Sequence, residues 1–184
     1  MKIPLTYGAA IAIAGALLTL ILFFAGFHDS VEAMQSRTAQ TVSIVVPLLI
    51  TIACLALAMR DKRESTPPDA KWGYGSAVGT GVMTVLFSVL FGAVFAYIYF
   101  SVLNPDMSSV IYDTQIAKME EQGVPASQID QSEAIMRKML SPVMMTVFQG
   151  VMGFITGVVL SLIVAIFYKR RSLESGFSSP PPVL

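Results

Sequence analysis

The chain has 184 residues, of which 54% are hydrophobic and only 13% are charged. That charged fraction is about half of what soluble domains carry, and it indicates a single-domain membrane protein. Twelve basic residues balance twelve acidic ones, so no bulk attraction to nucleic acid is expected. A single histidine and a single cysteine exclude an intrachain disulfide and a multi-histidine metal site, and we expect no cofactor.

Four uncharged segments are long enough to cross a bilayer, whose hydrocarbon core of about 30 Å needs roughly 20 helical residues. The first run is longer than a signal-peptide core and has no small-x-small cleavage site after Phe27, so we expect it to remain as a helix. The second contains Pro47, which membrane helices tolerate. The sequence predicts an all-α membrane protein whose transmembrane helices cover about residues 7–27, 41–59, 76–103 and 142–168.

Residues 104–140 form the longest polar segment. Apolar residues recur there at helical spacing on both sides of Gly123, which is suited to end a helix. We expect Asn104 to cap the first helix with Pro105 as its first residue. Ser127 and Asp130 resemble a capping box for the second helix. The pattern predicts a helical hairpin that either lies against the membrane surface or extends the third and fourth spans.

Lysine and arginine placement predicts the orientation. Because cytoplasmic loops are enriched in these residues, both termini are expected in the cytoplasm and the hairpin outside. Residues 1–171 are then one transmembrane domain, and the Pro/Ser-rich residues 172–184 form a disordered cytoplasmic tail. Eight of the twelve basic residues support this orientation: Lys2, Arg60, Lys62, Arg63, Lys71, Lys169, Arg170 and Arg171.

Small and hydroxyl residues mark two helices as candidate helix-packing or ligand-lining surfaces. A stripe at spacing four runs along the third span, and a G-x-x-x-G pair lies in the fourth; both patterns permit close helix contact. Gln149 is the most polar side chain in any span, and we expect its amide to find a hydrogen-bond partner on a facing helix. The candidates are Ser76, Thr80, Thr84, Ser88, Gln149, Gly153 and Gly157.

The hairpin has a net charge of −3, because six carboxylates outnumber three basic side chains. It is a candidate surface for a basic partner or for cations, although exported loops commonly carry such charges and no Asp-x-Asp calcium loop is present. The carboxylates are Asp106, Asp113, Glu120, Glu121, Asp130 and Glu133.

His28 lies at a membrane boundary, where a histidine is either a pH sensor or an ordinary interfacial residue. No serine or cysteine partner for it is evident from the sequence, and carboxylates cluster only in the hairpin. Hydrolysis needs a nucleophile–base pair or a metal, so we do not expect an enzyme.

The chain resembles the bacterial DUF4199 family of uncharacterised membrane proteins from Thr41 to Arg171. The resemblance lies in four spans, a basic second loop, the run Asn104-Pro105-Asp106-Met107 after the third span, the acidic helical insert and the basic stop. It implies this architecture and a bacterial inner-membrane location, and it implies no activity.

Two functions are compatible with the sequence. The first is an accessory, assembly or partner-binding subunit that contacts the lipid bilayer and either another membrane protein or further copies of itself. The alternative is a small transporter or channel for a lipid or apolar solute, built from a homo-oligomer if needed. Ion coupling normally leaves an ionisable residue inside the membrane, and no span has one.

Overall fold

The computed structural model describes residues 1–67, 70 and 72–168. Every regular element in this part of the chain is helical, and four helices are long and apolar enough to span a membrane. The predicted fold class is therefore confirmed. The elements are α1 (Lys2–Phe24), α2 (Val31–Gln35), α3 (Arg37–Glu64), α4 (Tyr74–Ile98) with a π-helical turn (Tyr99–Leu103), α5 (Met107–Glu121), α6 (Ala126–Met139) and α7 (Pro142–Tyr168).

The long helices alternate in direction, so each end of the bundle gathers one end of every span. We call the end where α3 and α7 finish the basic end, and the opposite end, which carries α5 and α6, the hairpin end. The central helix is α4, which packs most extensively against α1 on one side and α7 on the other, while α3 contacts all three.

Two of the helices begin several residues before the uncharged runs that predicted them. The first begins at Lys2 rather than Tyr7 and ends at Phe24, and α3 begins at Arg37 and continues to Glu64. Hydropathy locates only the apolar part of a helix, whereas the backbone hydrogen-bond ladder continues into the polar residues beyond it.

The basic half of the bundle holds the packed core. Leu55 and Met59 of α3 meet Ala77 of α4 and Val164 and Ala165 of α7, and all five are buried. The close approach of the helices here gives the core its van der Waals contacts, which stabilise helix association where lipid removes any hydrophobic advantage.

Polar contacts also tie the basic end together. The Tyr7 hydroxyl of α1 donates to the Asp61 carboxylate of α3 at 2.6 Å. Trp72, just before α4, donates its indole N–H to the Tyr168 carbonyl at 3.0 Å. Aromatic residues with one polar atom suit this position because they join an apolar body to a hydrogen bond at the interface.

At the hairpin end, α5 and α6 pack against each other and α5 contacts α2. Gly123 follows α5 with φ +73°, as expected for a glycine that ends a helix. The cap predictions were wrong. Helix α5 begins at Met107 because Asn104 is drawn into a buried side-chain contact, and Ser127 already lies inside α6, which Pro125 precedes.

Several predicted features lie outside the described residues. These are Lys71, the basic stop Lys169–Arg171 and the tail 172–184.

Candidate functional site

A groove opens between α3 and α7 in the hairpin half of the bundle, with α4 as its floor. Its volume is about 610 Å³, and most of its lining is apolar. Pro47 and Leu48 form part of the α3 wall, Val89 and Gly92 part of the floor, and Gln149 part of the α7 wall. In the core of the basic half, α3 and α7 are in contact. Closer to the hairpin end the two helices separate, and the groove occupies the space between them.

Gln149 brings a carboxamide from the apolar part of α7 into this groove. It lies seven residues inside α7, which places it about 10 Å from the start of that helix. Its side chain is exposed and makes no hydrogen bond to any residue that the structure describes. No described residue of a facing helix provides the expected bond, and an amide that faces hydrocarbon without a partner is energetically unfavourable.

The two glycines of the G-x-x-x-G pair have different surroundings. A Cβ on Gly157 would lie 2.5 Å from Cγ1 of Val85, so this glycine allows α7 to touch α4. A Cβ on Gly153 would meet no atom within 4 Å. Gly157 is therefore used in packing within the chain, while Gly153 leaves an open notch in the groove wall.

The hydroxyl stripe of α4 is divided in a similar way. Thr80 and Thr84 are buried, and each donates to the carbonyl four residues earlier at 2.9 Å. Ser76 is exposed at the basic end, and Ser88, which bonds to the Val85 carbonyl, is the member that reaches the groove. Each threonine hydroxyl is hydrogen-bonded within its own helix. Both side chains can therefore be buried in the packed face of α4 without leaving a polar group unpaired.

Two single glycines, one facing α4 and one on it, make further close contacts. A Cβ on Gly8 of α1 would lie 2.6 Å from Cβ of Phe87 and 2.7 Å from the Thr84 carbonyl oxygen. A Cβ on Gly81 would lie 2.5 Å from Cε of Met59. Single glycines in a small-residue background give little sign of which one meets a neighbouring backbone.

The acidic side chains of the hairpin are mostly solvent-exposed. Asp113, Glu120 and Asp130 line a cleft of about 390 Å³ between α5 and α6, yet no group of three or more His, Cys, Asp or Glu side chains in the described residues has metal-binding geometry. Asp106 and Glu121 are exposed elsewhere on the hairpin.

Glu133, the sixth acidic candidate, pairs with Arg137 of its own helix. Nε of Arg137 donates to its carboxylate at 2.8 Å, and this raises the pKa of the exposed guanidinium. The same guanidinium lies 4.7 Å from the centre of the Tyr112 ring of α5. The contact is a cation–π interaction that fixes one helix of the hairpin against the other.

A hydrogen-bonded cluster joins the hairpin to the bundle. Nδ1 of His28 lies 2.6 Å from the Tyr99 hydroxyl in the π-helical turn. The Asn104 amide donates to the same hydroxyl at 3.1 Å and approaches Sδ of Met107 at 3.7 Å. His28 therefore has a partner 71 positions away in the chain, which sequence spacing cannot reveal.

Burial is the main influence on the titration of His28. Desolvation lowers the pKa of the imidazole below its ordinary value of 6.5, and the nearby Asp29 carboxylate acts in the opposite direction with a smaller effect. Since water stabilises the imidazolium better than the protein interior does, this site favours the neutral ring.

The four candidate spans and the helical insert define a multi-pass, all-helical membrane protein. The sequence matches the family described as "Protein of unknown function (DUF4199)" over residues 6–170. The chain therefore belongs to the DUF4199 family, and the match includes the first span as well as the region after Thr41. No curated protein and no solved structure matches the chain.

Proposed function

We propose that this protein is a non-catalytic assembly subunit that receives a transmembrane helix of a partner in the groove between α3 and α7. The observation that carries the proposal is the unpartnered amide of Gln149 on the groove wall. A partner helix would bring a donor or acceptor to that amide, and hydrogen bonds between membrane helices contribute about 0.6 to 2 kcal/mol.

The shape of the groove supports a helix as the occupant. Gly153 leaves a notch in α7, and Gly92 lies in the floor. Small residues at such a surface let a second backbone approach closely and gain van der Waals contact along its length. The neighbouring Phe148 is 63% exposed, so a helix placed in the groove would also cover an aromatic side chain.

The second candidate function is binding of a lipid chain or another apolar solute. It is favoured by the largely apolar lining and by the volume of about 610 Å³, which falls within the roughly 300 to 1,000 Å³ of small-molecule sites. Transport would follow if such a molecule passed along the groove.

Orientation and location belong to the same proposal. Lys62 and Arg63 in the last turn of α3 contrast with the acidic hairpin at the opposite end. By the positive-inside rule, we place the basic end and both termini in the cytoplasm of a bacterium and the hairpin outside its inner membrane. A reporter fused after Glu121 that came out in the cytoplasm would contradict this orientation.

Photocrosslinking in native membranes tests the occupant of the groove. Benzoylphenylalanine is placed at Met152, which lines the groove, or at Ile163, which is similarly exposed on the basic half of α7. We expect a discrete protein adduct from the first position alone, and an adduct of twice the chain's mass identifies a second copy as the partner. Crosslinks to lipid alone would overturn the helix proposal in favour of the second candidate.

Substitutions at the groove supply the matched controls. Gln149→Leu keeps the volume and removes the amide, so we expect at least about a threefold loss of the adduct. Gly153→Leu fills the notch and should abolish the adduct. Thr146→Val is the control, because the Thr146 hydroxyl lines the groove but already donates to the Pro142 carbonyl at 2.8 Å.

A further inference from the structure

The cluster around Tyr99 has one arrangement in which the Asn104 amide and the Tyr99 hydroxyl proton each find an acceptor within it. The Asn104 amide nitrogen can only donate, so the Tyr99 oxygen accepts from it. The single hydroxyl proton of Tyr99 then goes to Nδ1 of His28 at 2.6 Å. Nδ1 must therefore carry a lone pair, and His28 is neutral with its proton on Nε2.

A proton on Nδ1 would break this arrangement. The Nδ1–H and Tyr99 O–H donors would then point at each other, and the hydroxyl proton would have to rotate away from His28. The Tyr99 ring is surrounded by the rings of Phe23, Phe95 and Phe100, with centres 5.4 to 6.0 Å away. These rings provide no strong acceptor, and a buried hydroxyl proton without an acceptor is costly.

The cluster lies where three segments of the chain meet. His28 belongs to the turn that follows α1, Tyr99 begins the π-helical turn that ends the third span, and Asn104 leads into α5. Met107, the first residue of α5, is buried beside Asn104. Short π-helical turns are frequent at functional sites, and this one begins at Tyr99, the partner of His28.

We propose that His28 is a proton-sensitive latch that holds the hairpin against the bundle when neutral and releases it when protonated. In the released form the imidazolium no longer accepts the Tyr99 proton, so the turn after α1 loses its bond to the π-helical turn from which the hairpin continues. The device is independent of the groove and of any partner that occupies it.

The surroundings of His28 allow this switch. The ring lines a cavity of about 220 Å³ that is partly open and also includes Gln40 and Ser43 of α3, so water can bring a proton. Asp29 is the charged group that acts on its pKa, in the direction that favours protonation, against the opposing effect of burial. The charged side chains on α2, at the start of α3, just before α5 and in its first half are Glu32, Arg37, Asp106 and Asp113. None of them forms a described hydrogen bond or ion pair with His28.

The chain's single histidine makes the protonation state directly observable. The full chain is labelled with ¹⁵N-histidine and titrated by NMR in lipid nanodiscs. We expect the neutral ring to show the Nε2–H tautomer. Tyr99→Phe removes the hydrogen bond that the neutral ring accepts, so it should raise the pKa of His28 and weaken the tautomer preference. Tyr97→Phe is the control, since Tyr97 is 50% exposed on the same helical segment and does not touch His28.

Amide hydrogen exchange over Met107–Glu121 reports the release. After correction for intrinsic pH dependence, we expect exchange in the wild type to be about fivefold faster near pH 5 than near pH 8, as the loss of one hydrogen bond implies. His28→Gln keeps an acceptor and cannot titrate, so its protection should not change with pH. An Nδ1–H tautomer in the neutral ring, or the same pH dependence in His28→Gln, would overturn the proposal.

Discussion

The two halves of the bundle are built from the same kinds of residue and have different packing. In the basic half, α3, α4 and α7 close around Leu55, Met59 and Ala165, which are fully buried. In the hairpin half, the same three helices stand apart and enclose a groove of about 610 Å³. Small residues on a membrane helix therefore do not by themselves mean contact within the chain, because one glycine closes an interface where another leaves an opening.

The largest expected effect comes from a comparison in which leucine replaces each of two glycines on α7 in turn. Gly157→Leu places new atoms where even a Cβ would lie 2.5 Å from Val85, and we expect a loss of about 3 kcal/mol in the free energy of unfolding. Gly153→Leu enters open space, and its effect should stay within about 0.5 kcal/mol. Unfolding in mixed detergent micelles measures both variants, and equal losses would mean that the two halves are packed alike.

A pair of leucines on α3 sharpens the same comparison. Leu55 is fully buried in the core, whereas Leu48, two turns earlier, is 37% exposed at the groove. Leu55→Ala should cost about 2 kcal/mol through the cavity that it leaves, and Leu48→Ala should cost less than half as much, because lipid already contacts that side chain. A larger loss for Leu48→Ala in the same unfolding assay would indicate that the groove is closed.

Acid should weaken the hairpin half selectively. The pKa of His28 in the folded chain is lowered from 6.5. At a pH between this lowered pKa and 6.5, the folded state therefore binds fewer protons than the unfolded state. The stability from neutral His28 is complete above pH 6.5 and is lost as the pH falls through 6.5 toward the lowered folded pKa. Thermal unfolding should show a loss of about 1 kcal/mol, the contribution of one hydrogen bond.

The His28→Gln variant separates this effect from general acid sensitivity. Its unfolding temperature should change less between pH 8 and pH 5 than that of the wild type, by the amount attributed to the latch. Identical pH dependence in the two chains would assign the acid sensitivity to carboxylates elsewhere.

The smallest expected effect concerns the buried threonines of α4. The Thr84 hydroxyl donates to the Thr80 carbonyl of its own helix and is fully buried. Thr84→Val preserves the shape, so the free energy of unfolding should change by less than about 0.5 kcal/mol. A transport or binding defect in this variant, with normal stability, would show that the hydroxyl stripe has a role beyond packing.

The spans were predictable because hydrocarbon requires long uncharged helices, and that requirement is visible in composition alone. The partners of individual side chains were not. Spacing four placed Gly153 and Gly157 on one face, yet only the crossing of α4 decides which of them meets Val85. Hydropathy likewise carries no information on the contact between His28 and Tyr99. That contact depends on how the turn after α1 and the end of the third span come together in the fold.

The cap at Asn104 shows how a tertiary contact overrides a local preference. Asparagine before proline favours the start of a helix, but the side chain of Asn104 bonds to Tyr99 instead and α5 begins three residues later. Asn104 is buried, and its hydrogen bond to the Tyr99 hydroxyl gives the amide an acceptor away from water, which outweighs one exposed cap.

Oxygen accessibility of spin labels within the bilayer tests the contrast between the halves most directly. Single nitroxide labels are attached at residue 48 or residue 55 of the full chain in nanodiscs, with Cys54→Ala removing the native thiol. The label at residue 48 should collide freely with dissolved oxygen, because the groove is open to lipid, and the label at residue 55 should be shielded. Equal accessibility at the two positions would contradict a bundle that is closed at its basic end and open at its hairpin end.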